Sequence, residues 1–200
     1  MRLGLGFAFL VSAVVSTAAS ESIYDAARLA RALVASTGIS TLSTTFPSEH
    51  PELAGQAVGL MEYHASCFTN GSLTILFAPI SLNSKNILKS PTRAASLSVV
   101  ASPARASNAR VSLIGTVDIH YNINDNIKKE LEQCYTAVHP DAKRWVPGSE
   151  DSHLFYWARF EPQIIYYIGG FGGLHYIGYI PLELYQTSGN LTGTDLRVQA

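Results

Sequence analysis

Hydrophobic and polar positions along this chain alternate between two periods. Ile23, Ala27, Ala30 and Val34 recur at the spacing of one helix face. Ser22 and Asp25 are placed to cap that helix, and Gly38 to stop it. Residues 39–45 mix Thr with apolar residues and predict a strand, followed by a loop over 47–55. Residues 57–68 and 73–78 read as two strands joined at Asn70-Gly71, a dipeptide that favours a tight hairpin turn. A short helix over 82–89 ends at Ser90-Pro91, because proline disfavours helical backbone in the residue before it. Residues 95–102 and 109–120 are strands around a polar loop, with Val111, Leu113, Val117 and Ile119 on one face. Asp125 is placed to cap a helix whose stripe is Ile127, Leu131, Cys134 and Val138, and His139-Pro140 ends it. Strands over 153–160, 164–168 and 174–180 complete the second half, and the polar residues 189–200 form a frayed tail.

The pattern gives about seven or eight strands and three helices. Short connections make the sheet mostly antiparallel, and a closed or partly closed barrel with helices outside removes its edges. No internal repeat and no composition break marks a second domain.

Composition narrows the function classes. The chain has 200 residues, 14 Lys+Arg against 15 Asp+Glu, and 47% hydrophobic residues. That size buries a real core, and the low net charge with high apolar content excludes a disordered chain. The basic residues are scattered rather than gathered in a stripe, so no nucleic-acid partner is expected.

The beginning of the chain reads as an address. Arg2 precedes a short apolar run over 3–15 and the small residues Ser16-Thr17-Ala18-Ala19-Ser20. This order predicts a secretory signal over residues 1–20 rather than a membrane anchor, which needs about 20 apolar residues. No later stretch is long enough to span a bilayer, so no membrane span is expected once the signal is removed. Export gives meaning to two glycosylation acceptor patterns, Asn70-Gly71-Ser72 and Asn190-Leu191-Thr192. It also permits a disulfide between Cys67 and Cys134. Such a bridge would contribute on the order of 4 kcal/mol through loop closure. Two buried free thiols are the alternative, since Cys134 falls on the apolar stripe of its helix.

Motifs for general catalysis are absent. The chain lacks a G-x-S-x-G elbow, zincin-spaced His residues and a Cys-rich zinc pattern, so no metal site is expected. The glycines at 169–173 lack the dinucleotide-binding spacing. Ser81, Ser84, Lys85 and Lys89 surround the start of a short helix, where hydroxyls, ammonium groups and free N–H groups suit a phosphate. An ordinary solvated helix explains the same residues. Aromatic residues from Phe155 to Tyr179 suit a flavin ring, or a core or subunit interface.

Four ordered segments resemble CREG-type secreted glycoproteins of the pyridoxamine-phosphate-oxidase-like split-barrel superfamily. They are residues 38–44; Ser84-Lys85-Asn86-Ile87 running to Pro91 and Ala95-Ser96-Leu97; His139-Pro140-Asp141-Ala142 with Trp145 and Pro147; and Gly170-Phe171-Gly172-Gly173 followed by Pro181, Glu183 and Tyr185. The resemblance covers one domain over residues 21–188. It implies a mainly β fold with flanking α helices, a six-stranded antiparallel split β-barrel of the FMN-binding type, working as a homodimer. In flavin-using relatives FMN lies at the dimer interface, and here its phosphate would fall to Ser81, Ser84 and Lys85. Three departures oppose this. The family's S-P-L is Ala78-Pro79-Ile80, the stretch 91–95 carries extra residues, and the second strand offers Glu62 where flavin-using relatives often place Arg. CREG-type members are also generally described as acting by binding, without flavin.

The resulting expectation is a secreted or endolysosomal/vacuolar lumen glycoprotein. It would be a non-catalytic dimeric binding module without cofactor, taking a protein or small-molecule ligand. The alternative is an FMN-dependent oxidoreductase of the same fold.

Overall fold

The computed structural model describes residues 20–149 and 154–189. Residues 1–19 of the expected signal, Asn190 and the tail beyond it lie outside the described residues. Helix α1 (Ile23–Thr37) starts at a reciprocal cap: the Ser22 hydroxyl accepts from Asp25 N–H, and the Asp25 carboxylate accepts from Ser22 N–H, both at 3.2 Å. Ala26, Ala27, Ala30 and Val34 are buried, and the helix stops at Gly38 with φ 67°. A Cβ there would run into the Val138 and His139 side chains, so both the backbone angle and the close approach require glycine.

The strands are β1 (Ile39–Thr45), β2 (Ala57–Tyr63), β3 (Leu73–Phe77), β4 (Ala94–Val100), β5 (Arg110–His120), β6 (Tyr156–Ile168) and β7 (Ile177–Ile180). Between them lie α2 (Leu82–Lys89), α3 (Asp125–Val138) and a 3-10 turn (Pro140–Arg144), and α4 (Leu182–Thr187) follows β7. All pairings are antiparallel, in the order β2-β1-β4-β5-β6-β3, with β7 added on β6. The sheet therefore has seven strands instead of the six expected, and it remains open. β3 pairs with β6 between Tyr156 and Phe160, while β7 pairs with it between Ile165 and Ile168. One long strand thus offers room for two short neighbours.

Pro162 separates those two halves of β6. It lies opposite Gly115, where the β5–β6 register shifts. A bulge is where a sheet tolerates proline, and a Cβ on Gly115 would collide with the Glu161 carbonyl. The two strands expected over 153–160 and 164–168 are consequently one.

The hairpin expected at Asn70-Gly71 does not form. β2 pairs with β1 along its length and β3 with β6, leaving one bridge between Ala65 and Thr74. The chain after β2 leaves the ladder because His64, Ala65, Cys67 and Phe68 are buried there. The cap of helix α3 is Asn124, not the expected Asp125: the Asn124 side chain accepts from Asn126 N–H at 2.8 Å. Its buried face carries Leu131 and Tyr135, whereas Val138 is exposed.

Two apolar clusters result. One lies between the sheet and α1, with Leu73, Leu97, Leu113, Phe160 and Tyr167 packed with Ala26, Ala30 and Val34. The other joins the segment after β2 to α3 and contains Ala65, Phe68, Leu76, Leu131, Tyr135 and Trp157. Cys67 and Cys134 are disulfide-bonded within this second cluster, with Cα atoms 5.9 Å apart. Among the described residues no helix is long and apolar enough to cross a membrane.

Candidate functional site

A cleft of about 290 Å³ opens where the end of β2 faces the β3–α2 connection. Met61, Glu62 and Tyr63 supply one side, Leu76, Ala78 and Ser81 another, and Tyr135, Trp145 and Phe155 the aromatic floor and wall. Local sequence explains each placement. β2 is a sheet-edge strand, so its last residues are free to face the cleft. Ser81 caps α2, which fixes it at the rim: its hydroxyl accepts from Ser84 N–H at 3.1 Å and donates to Ser84 Oγ at 2.8 Å.

The orientation of α2 is set by a buried amide network. Thr44 Oγ1 donates to Asn83 Oδ1 at 3.0 Å and accepts from Asn86 Nδ2 at 3.1 Å, while Asn83 Nδ2 donates to the Leu42 carbonyl at 3.1 Å. Asn83, Ser84, Asn86 and Ile87 are thereby turned inward. Lys85 is turned to solvent, and Lys89 pairs with Glu49 at 3.7 Å on the surface. Ser81 and Ser84 meet, as their helical spacing requires, but Lys85 stands apart from them on the outer face. No signal in the sequence singled out Asn83 and Asn86, because single Asn residues in a helix carry no distinctive spacing.

Glu62 dominates the electrostatics of the cleft. Burial raises its carboxyl to about 7, against one hydrogen bond from Tyr63 N–H at 3.1 Å that favours the charged form. None of the described residues lining the cleft is Lys, Arg or His. Behind it stands a rigid support. The Tyr63 ring stacks on His139 with centroids 4.2 Å apart, and Tyr63 Oη donates to Asp141 at 3.0 Å. Asp141 in turn pushes the Tyr63 hydroxyl upward. His139 Nε2 lies 2.9 Å from the His64 carbonyl, and His64 Nε2 lies 3.0 Å from the Val34 carbonyl. Both contacts place the ring proton on Nε2. Burial pushes His64 down and the Tyr135 hydroxyl up. His139 and Asp141 of the His139-Pro140-Asp141 motif thus hold Tyr63, which lines the cleft.

A second, larger cleft of about 540 Å³ lies beyond β5, lined by His120, Tyr121, Asn124, Lys128 and Tyr156. Ser81, Ser84 and Lys85 do not line it, whereas Phe155, Tyr156 and Trp157 of the aromatic stretch do. Elsewhere, Asn70 is half-buried in a turn and its Oδ1 accepts from Ser72 N–H at 3.2 Å. Ser72 is buried, and its hydroxyl accepts from Arg159 Nη2 at 3.3 Å. Among the described residues no group of three or more His, Cys, Asp or Glu is placed to hold a metal ion.

An open antiparallel sheet with a cleft at its α2 corner defines the class: a split barrel of the pyridoxamine-phosphate-oxidase type. The family model described as "CREG, beta-barrel" matches residues 21–187, and the chain belongs to that family. Among solved structures it is similar to a heme binding protein from Mycobacterium smegmatis (21% identity, TM-score 0.63), covering 80% of this chain and 60% of that one. It is similar to a FAD-binding protein from Mesorhizobium loti (12% identity, TM-score 0.50, 68% of this chain and 89% of that one). It is also similar to a protein of the pyridoxinephosphate oxidase family from Clostridium acetobutylicum, related to general stress protein 26 (14% identity, TM-score 0.51, 77% and 95%). At these identities the likeness is one of fold. This chain spans about three fifths of the length of the Mycobacterium smegmatis protein. No curated protein matches it.

The residues present do not fit the phosphate of a flavin nucleotide. Lys85 faces solvent, the Ser81 and Ser84 hydroxyls are engaged with each other and with the helix cap, and Glu62 brings negative charge to the same cleft.

Proposed function

We propose that this CREG-family chain is a luminal or secreted glycoprotein that acts by binding, as a homodimer, and performs no flavin chemistry. The observation that carries the reading is Glu62: a carboxyl without a lining cation stands where a flavin site needs positive charge. Its disulfide suits an oxidising compartment. The Asn70-Gly71-Ser72 acceptor pattern suits a glycan, and the signal-like residues 1–20 suit export. Leu60 and Met61 are 46% and 66% exposed on the edge strand β2, with Ile80 beyond it at 77%. Apolar side chains exposed on one edge support burial against a second copy.

The test is an absorbance spectrum of the natively purified protein. A spectrum with aromatic absorbance alone is expected. Stoichiometric flavin or haem bands would replace this reading with a cofactor-dependent one. Treatment with an N-glycosidase should increase electrophoretic mobility, and Asn70→Gln should remove the part of that shift belonging to Asn70.

A further inference from the structure

Glu62 is half-buried at the cleft, and a carboxyl partly withdrawn from water favours either a proton or a cation. Glu62 accepts one hydrogen bond on its side chain among the described residues, from a neutral backbone N–H. The groups around it are Tyr63 on its own strand, Ser81 at the α2 cap, and Tyr135 on α3. Asp141 and His139 stand behind Tyr63, the first bonded to its hydroxyl and the second stacked on its ring. No one of these described groups is a Lys or Arg. The rings of Trp145 and Phe155 line the same cleft. Aromatic faces attract cations through their quadrupoles, and the attraction grows as water is excluded.

We propose that this cleft binds a small organic cation, an amine or ammonium group, with Glu62 as its counter-charge and the Tyr63, Tyr135, Trp145 and Phe155 rings as its walls. The inference rests on the binding-module reading and gives that module a ligand class. An anionic ligand would meet Glu62 as a like charge. A neutral one would leave a charged Glu62 carboxyl unpaired. A cation satisfies both the carboxyl and the rings. The volume of about 290 Å³ suits a molecule the size of a substituted aromatic amine.

Loading then depends on pH. With Glu62 raised to about 7, the carboxylate and its hold on a cation are present above that value and are lost below it. A cation taken up at neutral pH is released in an acidic lumen.

Benzylamine and its neutral isostere benzyl alcohol are the probes, titrated against the full protein by tryptophan fluorescence. At about pH 8 benzylamine should bind about tenfold or more tightly than benzyl alcohol, the margin of a charge-assisted contact. Glu62→Gln should abolish that preference while leaving the weak alcohol affinity. Wild type brought to about pH 5 should lose it too, without any mutation. Equal binding of the two probes overturns the inference, as does no saturable response to benzylamine. A preference or pH dependence that survives in Glu62→Gln also overturns it. The absorbance of the same sample separates the two levels. A flavin-loaded protein defeats the binding-module reading, whereas a colourless protein that ignores benzylamine defeats only the cation.

Discussion

Glu62 and His64 are two positions apart at the end of β2 and respond to pH in opposite directions. The folded-state pKa of Glu62 is raised from 4.5 to about 7 by burial. Its contribution to stability is complete below about pH 4.5 and is lost as pH rises through 7. His64 is fully buried and its pKa is depressed from 6.5 by burial. Its contribution is present above pH 6.5 and is lost as pH falls below that value. Glu62→Gln removes the first effect. Denaturant midpoints should therefore show the variant more stable than wild type at about pH 8, by on the order of 2 kcal/mol. The gap should close below about pH 5, leaving the acid-side loss from His64. A gap that widens towards acid would contradict the assignment. Lys85 allows a second check. It faces solvent, so Lys85→Glu should change thermal stability by less than about 0.5 kcal/mol and leave the absorbance spectrum unchanged.

Helices and strands whose signals are local were legible in the sequence. The cap of α1 is spelled by Ser22 and Asp25, and the stripe of β5 by alternating Val111, Leu113, Val117 and Ile119. What was not legible depends on distant partners. β6 looked like two strands because the buried positions shift phase at Gln163-Ile164, after the bulge at Pro162. The Asn70-Gly71 turn looked like a hairpin because nothing local tells that β3 will take β6 as its partner. The expected site was legible in part. Ser81 and Ser84 are joined by helical spacing, but the outward direction of Lys85 follows from Asn83 and Asn86 bonding to β1. Gly38→Ala should cost about 1–2 kcal/mol in urea denaturation, because it adds strain at a positive φ and a clash at the α3 end. A neutral substitution there would contradict the close approach of α1 to α3.

At the scale of the whole molecule, the disulfide ties the chain after β2 to α3 and closes a span of 67 residues. Replacing both cysteines with Ala should lower stability by about 2–4 kcal/mol, read as a drop in the urea midpoint that reducing agent reproduces in wild type. Tyr63, stacked on His139, and Tyr135 of α3 line the cleft, and the bridge lies in the same apolar cluster as Tyr135. The fold is similar to that of a heme binding protein and a FAD-binding protein, while Glu62 at this cleft would meet an anionic group as a like charge. The most direct test is a fluorescence titration of FMN into the natively purified protein. No saturable quenching of FMN emission is predicted. Saturation at one FMN per chain, abolished by Lys85→Glu, would contradict the account.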